Sequence, residues 1–268
     1  MSNDRTSCSY LHGTSHDRSW QCIAATRSWE AGSYFPCRSP ALFDTSRVLR
    51  ILIIAPHPDD ETLGAGGTAA KSAANGHQVT VLTASGHMPP LYSAEVYEQT
   101  VREAREAYKI LGVVQHHWLD IPATFIGDEP VHVLNSRLGT IVHDIAPHVL
   151  LCPFPDRHVD HRLIFESVMV AARPVGPGRS IELLAAYETL SETHWNAPHI
   201  EPNFTHNWTV DITDYMEQKL AALACYQSQV SEFPGARSIE AVEGLAKFRG
   251  TQAGFAYGES FQIIRMKD

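Results

Sequence analysis

Residues 51–61 read Ile-Leu-Ile-Ile-Ala-Pro-His-Pro-Asp-Asp-Glu. A continuous apolar run stops at a proline, a histidine and three acids. Runs of this length closed by a breaker are the pattern of a buried strand. In open α/β sheets, functional groups collect just past the carboxyl ends of such strands. Three adjacent acids beside an imidazole are costly to hold together unless a cation or a reaction uses them. His57, Asp59, Asp60 and Glu61 therefore stand where a site would be built.

Outward from this stretch the pattern alternates. Val48–Ala55 is expected as a strand, Thr62–Asn75 as a helix closed by Gly76, and His77–Ala84 as a second strand. Ser93–Leu111 reads as a long amphipathic helix ending at Gly112. It is followed by a short strand at His116–Asp120, a helix at Val131–Ile145, a strand at Pro147–Cys152 and a helix at Arg162–Arg173. A looser, β-like region with Ile181–Thr189 and Asn207–Asp211 precedes helices at Thr213–Gln227 and Ser238–Gly250 and a last strand at Ser260–Met266. Alternating strands and helices imply an α/β fold: a Rossmann-like parallel sheet flanked by helices, with a smaller C-terminal α+β portion. Residues 1–46 mix Ser, Arg, Trp and Cys without a sustained period. They are read as an extension of unclear structure with no catalytic role, preceding a single domain over residues 47–268.

The 268 residues are 44% hydrophobic and 19% charged, ordinary for a soluble globular protein. The net charge of −9 argues against nucleic acid or an anionic membrane as the main partner. No apolar run approaches the roughly 18–20 residues of a bilayer span, and no basic stretch followed by an apolar core marks a secretory signal in the first 46 residues. The five cysteines (Cys8, Cys22, Cys37, Cys152 and Cys225) are odd in number and contain no Cys-x-x-Cys. That speaks against a disulfide framework or a zinc knuckle and for a reducing cytoplasm. Fifteen histidines are many, but abundance alone is no argument for metal.

A second cluster, His158-Val-Asp160-His161, follows the strand at Pro147–Cys152. A doubly wound sheet can bring both clusters to one rim. His57, Asp60 and His161 would then supply two imidazoles and a carboxylate, a set that suits Zn²⁺ or Fe²⁺ with positions left open. Asp59 is free to act as a base on a water activated by the ion. His158 can stabilise a developing oxyanion or protonate a leaving amine, and Asp160 can orient an imidazole. Each motif alone is weak. An Asp-Asp pair before a helix commonly complements the helix dipole, and a lone His-x-x-His is seldom a metal site. Their joint placement after strands carries the reading.

Pro56-His-Pro-Asp-Asp-Glu61 after an apolar strand, with Asp156-Arg-His-Val-Asp-His161 later, resembles the LmbE/PIG-L family of metal-dependent de-N-acetylases acting on N-acetylglucosaminyl conjugates. Val210–Tyr215, Lys219–Gln229 and Gly254–Phe261 extend the similarity to about residues 47–266, nearest in motif context to the bacillithiol-pathway branch. The resemblance implies His57, Asp60 and His161 as metal ligands, Asp59 as general base, His158 as electrostatic or acid partner and Asp160 as its support. It also implies Zn²⁺ (or Fe²⁺ in the cell), an amino-sugar conjugate as substrate, and self-association as a trimer or hexamer. Arg157 and Arg102 are candidate substrate contacts. Relatives often carry Arg where this chain has Thr100; a two-residue shift to Arg102 turns the side chain by about 200° on a helix. Val159 replaces a usual Pro, and Phe154 stands near where a Tyr is often found.

Competing readings are weaker. Gly64-Ala-Gly-Gly-Thr-Ala69 matches a dinucleotide fingerprint, but His57–Glu61 occupies the turn the fingerprint needs, and the second strand ends without the ribose-binding acid. Small residues there fit close helix–sheet packing better. No Gly-x-Ser-x-Gly or phosphate-cradling Gly-Lys-Ser/Thr loop occurs. A non-catalytic sugar- or metal-binding protein, and a deacylase of another amide such as an antibiotic precursor, are the alternatives.

Overall fold

The computed structural model describes residues 47–267; the extension expected over residues 1–46 lies outside them. Seven strands form one sheet: β1 (Arg50–Ala55), β2 (Gln78–Gly86), β3 (Gln115–Pro122), β4 (Val149–Pro153), β5 (Leu183–Tyr187), β6 (Trp208–Asp211) and β7 (Gly258–Met266). Their order is β3-β2-β1-β4-β5-β7-β6. The first five are parallel, with Ile51 opposite both Val79 and Val149. β7 runs antiparallel to β5 and to β6. The expected Rossmann-like arrangement is thus present in the first five strands. The C-terminal portion continues the same sheet rather than forming a separate one.

Every residue of Ile51–Ala55 is buried, because helices cover both faces and leave no solvent side to demand polar residues. Ile51 and Ile53 enter one core with α1 (Asp60–Ala74), α2 (Ala94–Leu111), α5 (Met216–Cys225) and α6 (Ile239–Ala253). Leu52 and Ile54 enter the other with α3 (Val131–Ile145) and α4 (Val159–Ala171). The chain order reverses between β1 and β4. This switch point opens a crevice at the carboxyl ends of those two strands, and both motifs lie there.

The small residues of α1 serve packing, not phosphate binding. A Cβ on Gly64 would lie 2.1 Å from the Tyr187 ring, and one on Gly67 would lie 2.7 Å from Ile212. The helix also breaks at Ala65 (φ −143°, ψ 15°). A break orphans backbone donors and acceptors that must find partners when buried. The carboxylate of Glu259 on β7 accepts from Gly67 N at 2.8 Å and Thr68 N at 2.7 Å. Lys219 of α5 donates to the Leu63 carbonyl at 2.8 Å and to Glu259 at 2.6 Å. One buried ion pair therefore satisfies both sides of the break.

Candidate metal and catalytic centre

The polypeptide leaves β1 through Pro56, whose carbonyl accepts from Ser85 N and from Ser85 Oγ. Asp59 is forced to φ 109°, a left-handed conformation rare outside glycine, and α1 starts at the next residue. This turn folds His57 back over Asp60, whose Oδ2 accepts from His57 N at 3.0 Å. On the β4 side, α4 starts at Val159, three residues earlier than its apolar pattern implies. The cause is His158, whose Nδ1 accepts from Asp160 N at 3.1 Å and caps the helix in place of the usual Ser, Asp or Asn. Asp160 and His161 consequently sit on the first helical turn and point into the crevice.

The two clusters meet at Asp60. Its Oδ2 lies 3.2 Å from His57 Nδ1 and 3.3 Å from His161 Nε2. An ion with bonds of about 2.0–2.1 Å spaces its tetrahedral ligands roughly 3.3–3.4 Å apart, so the donors stand at coordination spacing. The far ring nitrogens are held as well. His57 Nε2 lies 2.9 Å from Asp160 Oδ2, and His161 Nδ1 lies 3.0 Å from Asp156 Oδ2. A carboxylate on one ring nitrogen fixes the tautomer that leaves the other lone pair free. Asp60 Oδ1 and His161 Nε2 are buried without hydrogen-bond partners. The donor set fits a divalent ion.

Imidazole nitrogens of His57, His158 and His161 also lie within 4.8 Å of one another. The hydrogen bond made by His158 separates it from the other two. Its Nδ1 is occupied as an acceptor, so the neutral ring carries its proton on Nε2. That nitrogen is a donor and not a lone pair. The Asp160 carboxylate, expected to support His158, is bonded to His57 instead; it meets His158 through its backbone N–H.

Electrostatics divide the acids. Burial pushes Asp59 up to about 8, against the pull of Arg237. Burial would also raise Asp60, but His161 and His57 outweigh it and hold Asp60 well below the usual carboxylate range. Burial lowers the His57 and His161 imidazoles, yet their carboxylate partners raise them to about 9 and about 10 in the absence of metal. His158 is lowered by burial and by the neighbouring imidazoles. Two carboxyl groups adjacent in sequence thus have opposite characters: Asp60 a permanent anion, Asp59 a group able to exchange a proton near neutrality.

Arg157 forms an ion pair with Glu192 at 2.8 Å beside the crevice. The structure does not bring Arg102 to the cluster: it lies on the exposed face of α2, 3.7 Å from Glu98. Thr100 is buried and donates to the Val96 carbonyl. Glu61 accepts from Tyr226 and Thr62 rather than joining the donor set. Sequence reading missed two residues. Asp156 holds His161, donates nothing to the crevice itself, and also accepts from Thr193 at 2.9 Å. Arg237, in the loop between α5 and α6, lies 3.2 Å from Asp59 Oδ2. Asp156 could have been found from its place in the Asp-Arg-His run; Arg237 carries no local signal.

Residues 52–172 match the sequence model of the PIG-L family, described as GlcNAc-PI de-N-acetylase. Over this segment, just under half of its length, the chain is similar to the LmbE/PIG-L family. A diacetylchitobiose deacetylase of Thermococcus kodakarensis is 29% identical over 236 residues, covering 81% of this chain and 84% of that protein. A 1D-myo-inositol 2-acetamido-2-deoxy-alpha-D-glucopyranoside deacetylase of Segniliparus rotundus is 28% identical, covering 68% of this chain and 77% of its own length. Among solved structures, an N,N'-diacetylchitobiose deacetylase from Pyrococcus horikoshii in complex with an inhibitor superposes with a TM-score of 0.65 at 25% identity, covering 80% of this chain and 83% of that one. Among the described residues of this chain, no helix is long and apolar enough to cross a membrane.

Proposed function

We propose that the protein is a zinc-dependent hydrolase that removes the acetyl group from the amide nitrogen of an N-acetylglucosamine-type sugar conjugate, with residues 47–268 as a single deacetylase domain. The observation that carries this reading is the meeting of His57 Nδ1 and His161 Nε2 on Asp60 Oδ2, with the buried Asp59 carboxylate beside them, its Oδ1 without a hydrogen-bond partner. The deacetylase relatives support hydrolysis of an acetamide. His57, Asp60 and His161 would hold Zn²⁺, with Fe²⁺ as the alternative in the cell. When bound, such an ion polarises the acyl oxygen and brings a water within range of deprotonation near neutral pH.

The residues of the chain then divide the work. Asp59, raised to about 8 by burial, takes the proton of the attacking water. The water oxygen bonds to the acetyl carbon. His158 donates its Nε2 proton as a hydrogen bond to the oxygen that gains charge. The C–N bond breaks as Asp59 passes its proton to the nitrogen, leaving acetate and a free amine. Asp160 and Asp156 keep His57 and His161 in the ligating tautomers. The unpaired Cys152 and Cys225 agree with a reducing compartment, and we assign the enzyme to the cytoplasm. Self-association as a trimer or hexamer belongs to the same proposal and is checked by light scattering.

The test is acetate release from a panel of N-acetylglucosaminides by metal-stripped protein, with and without Zn²⁺. Zn²⁺-dependent release is expected. A protein that binds Zn²⁺ yet releases acetate from no member would sink the reading and favour a binding role or another amide.

A further inference from the structure

Beside the cluster lies an open cavity of about 450 Å³, within the range of small-molecule sites. Two segments far apart in sequence form it: Ser191–Trp195 after β5, and Gln229–Arg237 between α5 and α6. Two of its lining residues connect it to the cluster. Arg237 reaches Asp59 at 3.2 Å and Glu192 at 3.9 Å. Ser191, buried at φ 78°, holds a left-handed backbone immediately before Glu192. None of these residues is needed to hold the metal.

Both guanidinium groups in this region are already engaged. Arg237 faces Asp59 and Glu192, and Glu192 also takes Arg157 at 2.8 Å. A phosphate entering here would meet Asp59 and Glu192 and would have to take Arg237 from them. A cationic group would have to displace a guanidinium. An uncharged ligand disturbs neither pair; the Gln229 amide nitrogen is held by His87 and Ser228, but Gln229 Oε1 and the Glu192 carboxylate, each only partly used by Arg237, Arg157 and Ser191, keep lone pairs for its hydroxyls. Trp195 adds an aromatic face. It is 63% exposed at the cavity, although a ring of that size is usually covered. An amphipathic ring with one apolar face and hydroxyls at its edge fits both features.

We infer that this cavity is a subsite for a neutral pyranose ring attached to the reacting acetamido sugar, with Trp195 as the stacking platform and the Arg237–Glu192 pair as its polar wall. The assignment rests on the deacetylase reading for its link to turnover, but not for the binding itself. It selects for a glycosidic conjugate over a sugar phosphate.

The experiment compares N-acetylglucosamine, N,N'-diacetylchitobiose and N-acetylglucosamine 1-phosphate on the metal-loaded full chain and on its Trp195→Ala and Trp195→Phe variants. The disaccharide is expected to exceed the monosaccharide by about tenfold in kcat/KM, the scale of one good stacking contact. The phosphate should bring no gain. Trp195→Ala should lower the disaccharide-to-monosaccharide ratio to near one, and Trp195→Phe should restore most of it. A ratio that Trp195→Ala leaves unchanged, or a phosphate preferred to the disaccharide, overturns the subsite. Calorimetric titration of the disaccharide into metal-stripped chain, which cannot turn it over, separates the two claims. If no sugar is hydrolysed but the disaccharide binds in a Trp195-dependent manner, the subsite stands and the deacetylase reading falls. Binding that is absent or indifferent to Trp195 overturns the subsite whatever the turnover.

Discussion

Helix α1 meets two buried charge clusters, one at its first turn and one at its break, and they are finished differently. At the break, the Glu259 carboxylate takes two backbone N–H groups and an ammonium, and Lys219 also bonds a carbonyl. At the first turn, Asp59 Oδ1, Asp60 Oδ1, Asp160 Oδ1 and His161 Nε2 are all buried without a hydrogen-bond partner. Burial is equally deep in both places. A saturated cluster holds the chain in shape, and its charges have nothing left to give a ligand. An unsaturated one keeps capacity in reserve at a cost in stability, which marks a site.

The contrast can be broken by substitution. Asp59→Asn should lower turnover by about 10²–10⁴-fold while Zn²⁺ stays bound, read from acetate release and metal content together. Retained turnover would remove Asp59 from the role of base. In the saturated cluster, Glu259→Ala should instead cost about 3–5 kcal/mol of folding stability in urea titration, since it strands Lys219 and two N–H groups. A loss near zero would mean the break in α1 finds other partners. Between these stands Asp156→Asn, which leaves His161 in place but removes its anionic partner. Metal affinity should fall by about 10–100-fold, and the metal-free chain, whose His161 loses a buried anionic partner, should melt at a lower temperature.

The comparison is sharpened further through pH. Asp59 is raised from 3.8 to about 8, and His57 and His161 from 6.5 to about 9 and about 10. In all three the folded state holds the proton more tightly than the unfolded one. Stability from these protons is complete below the unfolded values and is lost as pH rises, over about 4–8 for Asp59 and about 6.5–10 for the imidazoles. Metal-free protein should therefore melt at lower temperature as pH rises through these ranges, and Asp59→Asn should remove the lower part of the slope. Because metal must displace the imidazole protons, Zn²⁺ affinity should climb over the upper range. Melts of stripped and loaded protein from pH 4 to 10 check both.

What could be read in the sequence follows the range of the forces involved. The meeting of His57 and Asp60 with His161 was legible because their two motifs lie just beyond the buried strands β1 and β4, and the parallel order of five strands brings those strand ends together. His148 and His77 show the opposite outcome for histidine: each accepts a backbone N–H of the strand entry at Arg50 and Leu49, far from the crevice. The start of α4 was not legible, because histidine is an uncommon cap and only the geometry of His158 reveals it. Arg237 was hidden for another reason. It reaches Asp59 across 178 residues of chain from a loop with no periodic pattern. The antiparallel direction of β6 and β7 also depended on connections whose lengths fix no handedness.

The clamp at the break in α1 has a bearing on synthesis. When a ribosome has polymerised as far as His161, every residue proposed to hold the metal exists. Glu259 is still unmade, nearly a hundred residues away. Until it arrives and β7 pairs with β5, the donors at Gly67 and Thr68 have no carboxylate and the helix that carries Asp60 has no fixed second half. A nascent or prematurely terminated chain would carry the signature motif without the geometry. If His57, Asp60 and His161 hold a metal as proposed, they would take their final places only when the last strand docks.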